Sequence, residues 1–272
     1  MTNPSERQIT GNTRIFGIVA DPIYHVKTPQ VMNANFARLG IDAVLIPIHV
    51  KPEGLAAVVA GLASMENLGG LIATVPHKPE IINLCDEVTG EARHIGAVNC
   101  IRRDPDGRMV GAMLDGTGFV EALKTVTSFD PHGKSAFVAG AGGAASAIAF
   151  ALAKAGVTRL TIANRTEAKA QELGARIRAV YPAITISTDA TTVADHELVA
   201  NGTSLGMKET DAPPVDFDQL HADQVVGDAI MQPEMTPLLR AAQARGCRIQ
   251  LGKPMLECQI ELMIRHFNIL PQ

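Results

Sequence analysis

The chain has 272 residues, 46% of them hydrophobic and 19% charged, with 24 basic against 28 acidic side chains and a formal charge of -4. That much apolar material argues against a disordered chain, and the slight acidic balance argues against a dedicated nucleic-acid binder. Aromatic residues make up only 4%, with no tryptophan, which disfavours stacking platforms for single-stranded nucleic acid.

At roughly 150 residues per domain, the length predicts two modest domains or one large one. The four cysteines, Cys85, Cys100, Cys247 and Cys258, form no C-x-x-C pair, so reduced thiols in a cytoplasmic protein are expected. Met1 to Arg14 is polar and reads as neither a secretory signal nor a transit peptide. Ser135 to Ala153 carries no aspartate, glutamate, lysine or arginine, but glycines in its first half make it a strand, a turn and a helix rather than a membrane span.

In chain order, Arg14 to Ala20 reads as a buried strand. Pro29 opens a helix through Leu39, with Thr28 as its expected N-cap. Ala43 to Val50 is a strand, Pro52 to Ser64 a helix and Gly69 to Val75 a third strand. Short strands near Ala97 to Ile101 and Met109 to Met113 flank the turn Asp104-Pro105-Asp106-Gly107. This alternation predicts a mostly parallel sheet covered on both faces. A helix over Gly118 to Thr125 ends in a polar turn, so the domain boundary is expected near Asp115 to Pro131, before a second alternating run. Strands are expected at Ser135 to Ala139, Arg159 to Ala163, Leu198 to Asn201, Gln224 to Asp228 and Cys247 to Leu251. Helices are expected at Ala144 to Ala155, Glu167 to Val180 and Met255 to Phe267. The fold class is therefore α/β in two domains, with a Rossmann-type nucleotide domain second.

Gly140-Ala141-Gly142-Gly143-Ala144-Ala145 fits G-x-G-x-x-A between a predicted strand and a predicted helix, the context that gives the pattern meaning. Gly140 permits the tight turn, Gly142 lets backbone approach a pyrophosphate, and Ala145 allows close helix–sheet packing. The helix N-terminus adds N–H groups and partial positive charge for phosphates. The next strand ends in Asn164-Arg165-Thr166, where an NAD site usually carries an acid. Arg165, with Lys169 one helical turn on, suits a 2′-phosphate instead, so NADP is the expected cofactor. Glu167 keeps an NAD reading open. No metal site is expected.

A nicotinamide site implies hydride transfer and a group that handles the proton on oxygen. Lys78 lies just after a strand end in Thr74-Val75-Pro76-His77-Lys78, where open α/β sheets place ligands. Asn99 closes Gly96-Ala97-Val98-Asn99, and Asp115 opens the interdomain helix.

In order and spacing these segments resemble the shikimate dehydrogenase family over nearly the whole chain. The family's N-terminal G-x-P-I-x-H-S-x-S-P is Asp21-Pro22-Ile23-Tyr24-His25-Val26-Lys27-Thr28-Pro29, and its N-V-T-V-P-F-K is Ile72-Ala73-Thr74-Val75-Pro76-His77-Lys78. G-A-V-N is unchanged, N-T-D-G is Met113-Leu114-Asp115-Gly116, and N-A-T-P-x-G-M is Asn201-Gly202-Thr203-Ser204-Leu205-Gly206-Met207. T-P-L-L is Thr236 to Leu239, and G-x-x-M-L-x-x-Q is Gly252 to Gln259.

The resemblance implies a substrate domain over residues 1–114, with 252–272 returning to it, a dinucleotide domain over 115–251, and a cleft between them. It implies Lys78 and Asp115 as the catalytic pair. Thr74, Asn99 and Gln259 would bind ring hydroxyls and Thr28 a carboxylate oxygen. The cofactor set would be Gly140 to Ala144, Asn164, Arg165, Thr166, Lys169, Ala229 and Gly252. The activity implied is NADP-dependent interconversion of 3-dehydroshikimate and shikimate by a monomer or homodimer, with no nucleic-acid or membrane partner.

Several positions depart from the pattern. The family holds the substrate carboxylate with two serines and a tyrosine; here Val26, Thr28 and Met231 stand in those places, and Ile72 replaces an asparagine. Each lost bond to a charged group is worth about 1.5–3 kcal/mol. Two such losses amount to roughly 10²–10⁴ in kcat/KM if nothing compensates. Lys27, His25 and His77 are the candidates for compensation. Two other readings therefore stand beside the first: a paralogue acting on quinate, an amino analogue or another cyclic alcohol, and a non-catalytic NADP-binding sensor.

Overall fold

The computed structural model describes residues 8–24 and 26–270; His25 lies outside them. The chain divides into two compact units, residues 1–114 with 260–272, and residues 115–259.

The first unit runs β1 (Arg14–Ala20), α1 (Thr28–Arg38), β2 (Ala43–His49), α2 (Leu55–Ala63), β3 (Leu68–Ala73), β4 (Glu87–Val88), α3 (Gly90–Ile95), β5 (Cys100–Arg103) and β6 (Met109–Ala112). Its sheet order is β2-β1-β3-β5-β6-β4. The β1–β2, β1–β3 and β4–β6 pairs are parallel, whereas β5 is antiparallel to both β3 and β6. The sheet is thus mixed: the tight turn at Asp104–Gly107 closes a hairpin, which needs antiparallel strands. β3 is buried along its whole length, as a central strand covered on both faces must be. Phe16 anchors the core, with its ring centroid 5.5 Å from that of Phe36 and 4.6 Å from that of Phe267. Along the edge strand β2, the Asn33 carboxamide donates to Leu45 O at 3.0 Å and accepts from Leu45 N at 2.8 Å. It thereby occupies backbone groups that an edge otherwise offers to another strand.

Thr28 is the first residue of α1 rather than its cap. Lys27 holds the N-cap position, and no side chain caps the helix. The Thr28 side chain is instead drawn into the protein, 7% exposed.

The second unit runs α4 (Asp115–Thr127), β7 (Ser135–Ala139), α5 (Gly143–Lys154), β8 (Arg159–Ala163), α6 (Glu167–Val180), β9 (Thr185–Ser187), β10 (Leu198–Asn201), β11 (Val225–Asp228), α7 (Pro237–Ala244) and β12 (Arg248–Gln250). Its sheet is parallel throughout, in the order β12-β11-β10-β7-β8-β9. The four central strands are almost entirely buried, and Phe137, Val199 and Val226 pack with Leu238 and Leu239 of α7. The last helix, α8 (Gly252–His266), begins in the second unit and ends in the first. The first unit resumes at Ile260; before it, within the second unit, Gly252 lies flush on the backbone of Ile230 and Gln259 bonds to Asp115.

No helix among the described residues is long and apolar enough to cross a membrane.

Candidate functional site

The glycine-rich turn closes as its composition dictates. Gly140 has φ +109°, a conformation open to glycine but strained for other residues, and its N–H bonds to Ala163 O of β8 at 2.7 Å. Gly142 is the N-cap of α5, so no side chain can cap the helix there, and the first turn holds no acid. Added Cβ atoms at Gly142 or Gly143 would meet nothing within 4 Å. Uncapped N–H groups facing open space at a helix N-terminus form an anion cradle. Ala141 and Ala144 flank this turn half-exposed, while Ala145 is fully buried against the sheet. The residues present therefore fit a dinucleotide pyrophosphate.

At the end of β8, Asn164 Nδ2 donates to Thr166 O at 2.9 Å, which shapes the turn into α6. Thr166 is the N-cap of α6, and Arg165, Thr166 and Lys169 are exposed. The Glu167 carboxylate accepts from Gln171 Nε2 at 2.9 Å along the same helix. Ala229, just beyond β11, donates its N–H to Asn201 O at 3.0 Å. A Cβ on Gly252 would stand 2.3 Å from Ile230 O, so only glycine fits that approach.

Asp115 is the first residue of α4, 3% exposed, and Gln259 Nε2 donates to its Oδ1 at 3.1 Å. The spacing of 144 residues between them gave no local signal.

In the first unit, Asn99 is buried at the start of β5. Its Oδ1 accepts from Leu114 N at 2.9 Å, and its backbone bridges Ala73 and Ala112. Thr74 and Lys78 lie past the C-terminal end of β3, both half-exposed, and Lys78 O accepts from Val98 N at 2.9 Å. His77, 1% exposed, is committed to Val50 O at 2.8 Å through Nε2 and so is not a substitute carboxylate donor. Val26 is half-buried, Lys27 exposed and Met231 41% exposed.

Sequence reasoning missed a buried polar cluster at the carboxyl ends of β10 and β11. Asp228, 0% exposed, accepts from Asn201 Nδ2 at 3.1 Å, Ile230 N at 2.9 Å and Thr236 Oγ1 at 2.8 Å. Burial pushes its carboxyl up to about 6, and these three donors oppose the shift. A lone acid closing the apolar strand Val225–Asp228 was the available signal. Among the described residues, no group of three or more His, Cys, Asp or Glu side chains could hold a metal.

Residues 18–101 match the shikimate dehydrogenase substrate binding domain, and residues 121–207 match the shikimate/quinate 5-dehydrogenase domain. The shikimate dehydrogenase (NADP(+)) of Geobacter metallireducens is 38% identical over 260 residues, spanning 93% of this chain and 90% of its own. Among solved structures, a shikimate dehydrogenase in complex with NADP+ superposes with a TM-score of 0.91 at 32% identity, covering 99% of this chain and 95% of that one. The ligand-free 5-ketofructose reductase of Gluconobacter sp. strain CHM43 superposes with a TM-score of 0.85 at 34% identity, covering 94% of this chain and 92% of that one. With its glycine turn and its two α/β units built as described, the chain belongs to the shikimate dehydrogenase family.

Proposed function

We propose that this protein is an NADP-dependent oxidoreductase that reversibly interconverts 3-dehydroshikimate and shikimate. The observation that carries this reading is likeness at 38% identity over 93% of the chain to an NADP-dependent shikimate dehydrogenase. Residues 1–114 and the chain end supply the substrate side, and residues 115–251 the dinucleotide side. Gly140 to Ala144 receive the pyrophosphate. Arg165 and Lys169 hold the 2′-phosphate beside Asn164 and Thr166, while Ala229 and Gly252 contact the rest of the cofactor. Cys85, Cys100, Cys247 and Cys258 form no disulfide, in keeping with a reducing cytoplasm.

When bound, NADP(H) donates or accepts the hydride at the reacting carbon. Lys78 donates a proton to the ketone oxygen in reduction and takes it back in oxidation. Asp115 accepts a hydrogen bond from a substrate hydroxyl. Its own carboxylate is held by Gln259, so a rotamer that would otherwise be free is set in advance. Thr74, Asn99 and Gln259 orient the ring hydroxyls, and Thr28 a carboxylate oxygen.

A second reading has its own support. Val26 and Met231 remove donors from the carboxylate end, and the similar Gluconobacter protein is a 5-ketofructose reductase. On this reading the substrate is a neutral polyhydroxy ketone.

Nicotinamide absorbance with shikimate, quinate and 5-ketofructose, each with both cofactors, separates the readings. Shikimate turnover with NADP supports the first. Turnover of the neutral ketone with negligible shikimate activity selects the second. Tight NADP binding without turnover would identify a sensor. For the working enzyme, Lys78→Ala is expected to lower kcat by about 10²–10⁴ while NADP affinity stays within a small factor. A near-normal kcat would remove Lys78 from this role.

A further inference from the structure

The second sheet reverses its strand order at the β7–β10 pair: β8 and β9 lie on one side, β11 and β12 on the other. A dinucleotide lies across the carboxyl edge of such a sheet at the point of reversal. The glycine turn follows β7. Arg165, suited to the 2′-phosphate of the adenosine half, follows β8. By the same rule the nicotinamide half would extend in the opposite direction, over the carboxyl ends of β10 and β11. Two loops leave the sheet there, residues 202–216 and 229–236.

Both loops are tied to one side chain. Asn201 and Asp228 are register partners at the last positions of β10 and β11, and both are 0% exposed. Through Oδ1, Asp228 holds Asn201 Nδ2 and Ile230 N; through Oδ2 it holds Thr236 Oγ1. Asn201 in turn organises the first loop. Its Nδ2 donates to Leu205 O at 3.1 Å, and its Oδ1 accepts from Thr203 N at 3.0 Å and Thr203 Oγ1 at 2.7 Å. Leu205 N then bonds to Thr203 Oγ1 at 3.0 Å.

The first loop also lies flush on the dinucleotide helix. A Cβ on Gly202 would stand 2.6 Å from Ala145 Cα, and Thr203 Cγ2 lies 2.9 Å from the Cβ position of Gly140. Each arm presents an exposed methionine, Met207 at 49% and Met231 at 41%. Such flexible, polarisable side chains suit packing against a planar ring. A sheet needs no ionisable group at this buried position, since Val225 and Val226 fill the same strand with apolar side chains and a buried charge is a weak source of stability. Buried, hydrogen-bonded carboxyls of this kind are found disproportionately at functional sites.

We infer that Asp228 is a positioning residue: by holding Asn201 and the backbone of Ile230 together, it sets the two loops that receive the nicotinamide half of NADP, without touching the cofactor itself. The inference rests on the NADP reading above.

Calorimetric titration of two ligands tests it: NADP, and adenosine 2′,5′-bisphosphate, which carries the adenosine end and no nicotinamide. Asp228→Ala is expected to weaken NADP by about tenfold or more, the scale of a misplaced contact surface. Adenosine 2′,5′-bisphosphate should bind within about twofold of wild type, because it lacks the nicotinamide half that the loops receive. Asp228→Asn keeps an acceptor for Asn201 and Ile230 and should recover most of the NADP affinity. Should Asp228→Ala fail to fold, Thr203→Val serves, since it removes only the hydroxyl that ties Leu205 to Asn201. It should weaken NADP by roughly threefold with the bisphosphate unmoved. Equal weakening of both ligands, or of neither, would overturn the inference. If wild-type protein bound neither ligand, the NADP reading itself would fall, and this inference with it.

Discussion

The guanidinium of Arg165 stands exposed two residues beyond β8, with no carboxylate partner among the described residues. The nearest acid in sequence, Glu167, is engaged by Gln171 within α6 and is the first residue of that helix. A planar cation without a partner favours a phosphate over a bare ribose, so Arg165→Ala should discriminate between cofactors. Loss of one charge-assisted contact of about 1.5–3 kcal/mol predicts NADP weakened by roughly 10–100-fold and NAD by little. Fluorescence titration with both nucleotides measures this, and equal losses would contradict a 2′-phosphate contact. Arg165 was readable from sequence because its signal is local, a fixed distance past the glycine turn. Asp228 was not, because its partners Asn201 and Thr236 are brought to it by strand register and a loop, not by spacing. Thr28 misled for a related reason. A threonine before proline usually caps a helix, but burial of its side chain moves the cap back to Lys27.

At the level of elements, the contact between α4 and α5 turns on one glycine. A Cβ on Gly116 would stand 2.0 Å from Ala147 O and 2.8 Å from Ala151 Cβ. The obstacle is helix backbone, which cannot rotate aside as a side chain can. Gly116→Ala is therefore expected to destabilise the protein by about 1–3 kcal/mol despite alanine's better helix propensity. A lowered urea midpoint at unchanged slope would be the readout, and an unchanged midpoint would mean that the helices separate freely at that point. Sequence placed Gly116 in a catalytic segment beside Asp115, and only the packing reveals its separate helix–helix role. The long elements were legible because period and punctuation agree: Pro29 stands in the first turn of α1, and apolar runs fill β3 and β7, whereas Pro52 opens a 3-10 turn and α2 starts three residues later, at Leu55. The two-residue β4, the six-residue α3 and the three-residue β9 were not, since each is too short to display a period. The antiparallel setting of β5 was implicit in the turn at Asp104–Gly107, but the wider βα alternation masked it.

For the whole molecule, the division at Leu114/Asp115 separates most candidate residues by ligand, although the second unit also holds the substrate candidates Asp115 and Gln259. Thr28, Thr74, Lys78 and Asn99 belong to the first unit, and every candidate cofactor residue belongs to the second. Helix α8 alone carries the chain back, with Gln259 the last residue of the second unit and Ile260 the first of the other. Sequence put the outgoing boundary near Asp115 to Pro131, where the expected helix ends in a polar turn. The returning boundary lies inside a continuous helix, where neither composition nor a breaker marks it. Each unit has its own sheet and core, so ligand binding to one stabilises that unit directly and the other only as far as the two open together. NADP at about 100 times its Kd adds roughly 2.7 kcal/mol to any opening that destroys its site. Native-state hydrogen exchange should then slow the core amides of β7, β8 and β10 by about 100-fold, with those of β1 and β3 changing less than about tenfold. Along α8, the protection gained should decline past Gln259. An equal gain in both sheets would mean that the chain opens as one cooperative body, with α8 acting as a rigid coupling rather than a joint between separately stable units.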